Sequence, residues 1–259
     1  TRIALTTVAA ALLAAGFLVS AGPARASDSH HDAALKPLSP SWCAGRCDTV
    51  ITDWNLTAFQ VIKAGDGYVD PMAASRSLAM VHVAMHDAAN AARGRYQRHA
   101  LTELPAGAAK ADAAVAAAQA AHDVLVVLYP QPAATGIAKV QLERVLFEAG
   151  VGESITAGAQ LGKAAASAGL ANRTNDGANV PEPSIEGTQP GEYRFTPPFN
   201  FAAAPHWRQV TPFVLTSAAQ FRTAPAPALT SEAYRRAFDE VKAGGGKTGG
   251  QRSDNETNY

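Results

Sequence analysis

The chain is poor in cysteine. Cys43 and Cys47 are its only two among 259 residues. That excludes a disulfide framework and a closed four-cysteine zinc site. The pair is spaced for a small local disulfide, which would stabilise little beyond its own short loop. The other reading is a metal clip or redox pair, though two lone thiols lack the further ligands a zinc site wants. Aromatic residues make up only 7% of the chain. So low a share, beside abundant alanine, points away from a β-sandwich and toward helices packed through small side chains. Charge of one sign is also missing: 22 basic residues balance 22 acidic ones, with no basic block. Nucleic acid or an anionic membrane is therefore excluded as a main partner. No P-loop, no G-x-G-x-x-G and no G-x-S-x-G elbow is present, so neither nucleotide chemistry nor an α/β-hydrolase triad is indicated.

Long hydrophobic runs are absent except at the start. Arg2, then the apolar run Ala4 to Val19, then Ala24-Arg25-Ala26 read as an export signal covering residues 1–26, with the mature chain beginning at Ser27. Export implies a periplasmic or secreted location. No later segment reaches the ~20 apolar residues a membrane span needs. Residues 27–49 are polar, with His30-His31 in a segment read as a flexible mature N-terminus.

What remains is a series of helical periods. Trp54, Ala58, Val61 and Ile62 share one face of a helix near 53–64. Asp70 followed by Pro71 is a cap and first-turn pair opening a helix over 71–93, and Gly94 is placed to end it. Further helices are expected near 108–129, 135–149, 153–172 and 230–243. In the first of these, Ala114, Ala118, Ala121, Leu125 and Leu128 form one stripe and Asp112, Gln119 and Asp123 another. In 153–172, Gly158, Gly162, Ala165 and Gly169 invite close approach of a neighbour. Residues 176–228 have no helical period. They hold most of the prolines together with Tyr193, Phe195, Phe199, Phe201, Trp207, Phe213 and Phe221. So many aromatics argue against disorder and for an ordered loop laid across the bundle. Tyr234, Phe238 and Val241 are expected on the inner face of the last helix, capped by Ser231. Residues 244–259 read as a Gly-rich linker. The expected fold is an all-α bundle over 50–243, an incomplete domain with the 71–93 helix as its packing axis.

That helix concentrates the reactive side chains. His82 and His86 are four apart, on one helix face, as in H-E-x-x-H zinc proteases, but Val83 stands where the catalytic Glu would be. Asp87 is adjacent and points about 100° away. Ser75-Arg76 followed by His82 matches the S-R-x5-H part of an anion-binding element. Such a site needs several converging donors, and the companion elements K-x6-R-P and P-S-G-H occur nowhere in the chain. His122-Asp123 repeats a His–Asp pairing, without the strand–turn–helix context of a triad. Core and helix-contact roles are the bland reading of all these residues.

Seven stretches, in order, together resemble the N-terminal half of exported bacterial vanadium-dependent haloperoxidase-like proteins. This group lies in the type-2 phosphatidic-acid phosphatase superfamily. The stretches are RSLAMVHVAMHDAANA (76–91), DAAVAAAQAAHDVLVVLYP (112–130), NDG (175–177), PGEYRFTPP (190–198), PHWRQVTPFVL (205–215), QFR (220–222) and ALTSEAYRRAFDEVK (228–242). The resemblance implies an all-α fold. It implies a vanadate cofactor, or phosphate in the related phosphatases, held in a cradle of Arg, Lys, Ser and Gly donors and anchored by a His. It implies small-molecule substrates: halide and peroxide, or a phosphate ester. The three cradle elements lie in the family's C-terminal half, past the region matching RSDNETNY. The resemblance therefore assigns no catalytic, cofactor-binding or metal residue to any position here, and this chain alone is expected to bind no vanadate and to be inactive. An acid phosphatase, or a non-catalytic helical periplasmic binding or structural module, is the alternative. A homo-oligomer stays open.

Overall fold

The structure, a computed structural model, describes residues 47–246 and 250–258, with side chains from 49 to 246 and 250 to 256. The export signal, His30-His31 and Cys43 lie outside the described residues, as does the Cys47 side chain. The described residues are all-α, with no strand among them. Five helices make the bundle: α1 (Cys47–Ala64), α2 (Pro71–Arg93), α3 (Ala113–Leu128), α4 (Pro132–Ala149) and α5 (Glu153–Asn172). Two more follow, α6 (Glu232–Gly244) and the short α7 (Asp254–Asn258).

The helix ends follow from local chemistry. The Asp70 side chain accepts from the backbone N–H groups of Met72 and Ala73, with Pro71 at the first helical position. Gly94 closes α2 in the left-handed conformation at φ 65°, and its N–H bonds to the Asn90 carbonyl. Asp112 likewise accepts from Ala114 and Val115, and Ser231 from Tyr234. Each side-chain bond satisfies a first-turn N–H that has no partner within its helix.

Four expectations about the helices are corrected. First, α1 begins at Cys47, inside the segment read as a flexible tail, because Val50 is already buried against the bundle. Second, α3 does not start at 108. A 3₁₀ turn over Ala108–Lys110 precedes it, and Asp112 is its cap. Third, α4 starts at Pro132 and not at 135, since proline at the first turn costs no hydrogen bond. Fourth, residues 244–259 are not all linker, because α7 lies within them.

The packing axis is α3, not α2. It touches α1, α2, α4 and α5, whereas α2 packs against α1, α3 and α5. From Ala113 to Ala121 every residue of α3 is buried. A helix apolar on all sides belongs in the centre, and alanine lets its neighbours come close. The approach is tightest at α5. A Cβ on Gly162 would stand 2.5 Å from both the Ala116 carbonyl oxygen and Gln119 Cβ, and one on Gly158 would stand 2.9 Å from the Asp112 carbonyl oxygen. Trp54, Val61 and Ile62 of α1 and Leu161 of α5 complete the core at zero exposure.

Between α5 and α6 the chain is irregular except for a 3₁₀ turn at Trp207–Gln209. The crossing of the bundle is made by residues 205–213, where His206 is buried and Phe213 packs on the core. Residues 181–202 stay almost wholly on the surface. The inner face expected of α6 is not found. No α6 residue is buried, and Phe238 and Val241 are exposed by 53% and 70%. No described helix is long and apolar enough to cross a membrane.

Candidate functional site

Each reactive side chain of α2 is committed to a neighbouring segment. Arg76 Nε donates to Asp176 Oδ2 at 2.8 Å, and its Nη2 donates to the Arg173 carbonyl at 2.9 Å. Arg173 Nε lies 3.1 Å from the same Asp176 oxygen, near enough for ion pairing though not aligned as a hydrogen bond. The Arg173 guanidinium also donates to the Thr211 and Pro212 carbonyls and lies 4.5 Å from the centre of the Phe213 ring. Asp176 then takes the Ala178 N–H on its other oxygen, while its carbonyl receives the Thr211 N–H at 2.7 Å. One buried carboxylate thus joins α2, the end of α5 and the crossing segment. Burial pushes its carboxyl up. The hydrogen bonds from Arg76 and Ala178, with the charges of Arg76 and Arg173, outweigh that and hold it below the usual carboxylate range.

Asp87, almost fully buried, has no cation partner among the described residues. It accepts three backbone N–H bonds, from His99, Ala100 and Leu101, at 2.7 to 2.9 Å. Asn90 does the same for the turn after α2: its Oδ1 accepts from Arg95 and Tyr96, and its Nδ2 donates to the Tyr96 carbonyl. Together they fix residues 95–101 against α2.

The two histidines are pinned by acceptors. His82 Nε2 lies 3.0 Å from Asn55 Oδ1 of α1, and His86 Nε2 lies 3.2 Å from the Gln97 carbonyl. A nitrogen facing an oxygen acceptor must carry the proton, so in each neutral ring Nδ1 is left as the acceptor. Burial lowers the His82 pKa below its ordinary 6.5, so this imidazole stays neutral at neutral pH.

Ser75, Arg76 and His82 do not converge as the S-R-x5-H match would require. The Ser75 hydroxyl is turned back to the Pro71 carbonyl, as hydroxyls on helices often are. Arg76 is spent on Asp176 and His82 on Asn55. The residues present therefore do not fit a vanadate or phosphate cradle. Among the described residues no three His, Cys, Asp or Glu side chains gather as a metal site. On α3, His122 Nδ1 is 2.7 Å from Asp123 Oδ1, which also receives Gln119 Nε2. No described serine hydroxyl joins that pair.

No family model, no curated protein and no solved structure matches the chain.

The structure also brings together a cleft of about 280 Å³ between the start of α1, the outer half of α2 and the turn at 95–96. His82, His86 and Arg93 line it from α2, Ile51 from α1 and Tyr96 from the turn. Helical spacing placed the histidines on one face. The contributions of Ile51 and Tyr96 depend on long-range packing and on the Asn90 turn, and no local pattern announces them. The Arg173–Asp176 joint was equally hidden, although NDG is among the stretches that carry the resemblance.

Proposed function

We propose that this chain is the N-terminal, non-catalytic helical part of an exported haloperoxidase-like enzyme. The vanadate cradle for oxidising halide with peroxide would then be supplied by residues outside this sequence. One observation carries this reading. Three stretches of the resemblance, far apart in sequence, meet at a single joint: Arg76 in 76–91, Asp176 in 175–177, and Thr211 to Phe213 in 205–215. Stretches that resemble a family by chance have no reason to be one another's partners. A set that preserves a fold does, because a buried carboxylate must keep its cations.

The chain's share of that enzyme is architectural, since Ser75, Arg76 and His82 are engaged with other protein groups. An acid phosphatase of the same superfamily would be built on the same half. The test is the DNA that continues the reading frame past Tyr259. Elements of the form K-x6-R-P, P-S-G-H and R-x5-H are expected there. The full-length product should show vanadate-dependent halide oxidation by peroxide, and the 259-residue chain none. A downstream sequence without those elements overturns the enzyme reading. Phosphatase activity without peroxidase activity replaces it with the second enzyme.

A further inference from the structure

We propose that the cleft beside His82 and His86 binds a small organic anion: an apolar or aromatic body with one carboxylate at its end. This inference does not depend on the reading above. Its volume, about 280 Å³, is near the lower end of small-molecule pockets. Its walls are apolar: Ile51 on one side, Met85 and Ala89 on the other, and the Tyr96 ring, whose neighbour is the His86 ring at 6.4 Å. That composition selects an apolar body.

The charge around it selects the head group. Arg93 and Arg95 line the cleft, and among the described residues no lining residue is a carboxylate. Arg93 stands in the last turn of α2. The carbonyl end of that helix carries about half a negative charge, which the Arg93 guanidinium exceeds. No acidic partner of Arg93 occurs among the described residues, so its guanidinium is available to a carboxylate, for which its forked donors are suited. A cationic ligand would meet the Arg93 guanidinium, and a metal ion would meet it with only two imidazoles to hold it. The site is also preformed. Asn90 clamps the Tyr96 backbone from both sides, and both imidazoles are held by acceptors at the far nitrogen. Little ordering is therefore left for binding to impose.

The experiment is calorimetric titration of the full chain with 4-phenylbutyrate, its neutral counterpart 4-phenylbutan-1-ol, and the cation 4-phenylbutylamine. The carboxylate is expected to bind with Kd on the order of 0.1–1 mM, the alcohol roughly tenfold more weakly and the amine more weakly still. Arg93→Gln, a surface change, should weaken the carboxylate roughly tenfold and leave the alcohol unchanged. Ala89→Phe should fill the cleft and abolish binding of both, with an unchanged thermal melt showing that the variant is folded. Equal affinity for carboxylate and amine overturns the proposal. So does carboxylate binding that survives Ala89→Phe in a folded variant, and so does the absence of any binding at 10-fold above the expected Kd range.

Discussion

Asp87 and Asp176 are both buried carboxylates, and they are kept in two different ways. Asp87 is surrounded by peptide N–H groups, Asp176 by guanidinium groups. Changing Asp87 to Asn puts an amide NH₂ against N–H donors that have nowhere else to turn. We expect Asp87→Asn to cost about 3 kcal/mol in urea unfolding, with the loss read as a shift in midpoint at unchanged slope. Asp176→Asn leaves two arginines facing each other without their anion, and a similar or larger loss of about 3–5 kcal/mol is expected. The wild-type chain should also be acid-sensitive in a defined way. The folded-state pKa of Asp176 is depressed below the ordinary 3.8. On acidification the unfolded chain therefore takes up this proton first. The stabilisation is complete above 3.8 and is lost as pH falls from there through the folded value. His82, depressed below 6.5 by burial, acts with the same sign but at higher pH, because the unfolded chain binds its proton first as pH falls below 6.5. Stability measured against pH should therefore decline in two stages, and His82→Gln should remove the upper one only. A single-stage decline below pH 4 would show that His82 is not linked to folding.

Among the helices, the decisive contrast lies within α5. Gly162 faces α3 so closely that a methyl group would overlap backbone, whereas a Cβ on Gly169 would meet only Ala84 Cβ, at an ordinary 3.8 Å. Gly162→Ala is expected to lower stability by about 1–3 kcal/mol, because α3 backbone must move to relieve the overlap. Gly169→Ala should raise it by about 0.5–1 kcal/mol, since alanine restricts the unfolded chain and clashes with nothing. Paired thermal melts would show opposite shifts. Sequence alone marks both glycines as small residues on a helix and cannot say which of them meets α3. The same limit explains what was legible elsewhere. Caps are local chemistry, so Asp70, Gly94 and Ser231 could be read from their immediate neighbours. The stripe Trp54, Ala58, Val61 and Ile62 has one apolar face, so its inward side was legible too. The alanine-rich α3 carries a polar stripe through Gln119 and Asp123 that reads as an outer face, yet Gln119 is buried with its neighbours. The central place of α3 follows from being buried on every side, which depends on four other helices. The cleft was half legible: periodicity joined His82 to His86, but Ile51 and Tyr96 enter it through packing and through a turn that Asn90 holds.

In the molecule as a whole, stability is unevenly spread between the alanine-rich bundle and the segments outside it. The helix α6 is the extreme case. It has 13 residues, a length at which an isolated helix is marginal in water. Tyr234, Phe238 and Val241 recur at spacings of four and three along one face, and none of them is buried. Its local support is the Ser231 cap and the ion pairs of Arg235 with Glu232 and Asp239, surface pairs that contribute a few tenths of a kcal/mol each. An amphipathic face left in water gives no packing energy, so α6 should open without the bundle opening. Native-state hydrogen exchange of this chain should show α3 amides protected to the level of global unfolding and α6 amides exchanging many orders of magnitude faster. The proposed function gives a second half to the prediction. If the remainder of an enzyme lies against the Tyr234–Phe238–Val241 face, α6 becomes strongly protected in the full-length protein while α3 changes little. Replacing Phe238 with Ser should then destabilise the full-length protein by a few kcal/mol and leave the melt of this chain unmoved. Strong protection of α6 in the 259-residue chain alone, at concentrations where it is monomeric, would mean that the face is already covered and that the enzyme reading is not needed to explain it.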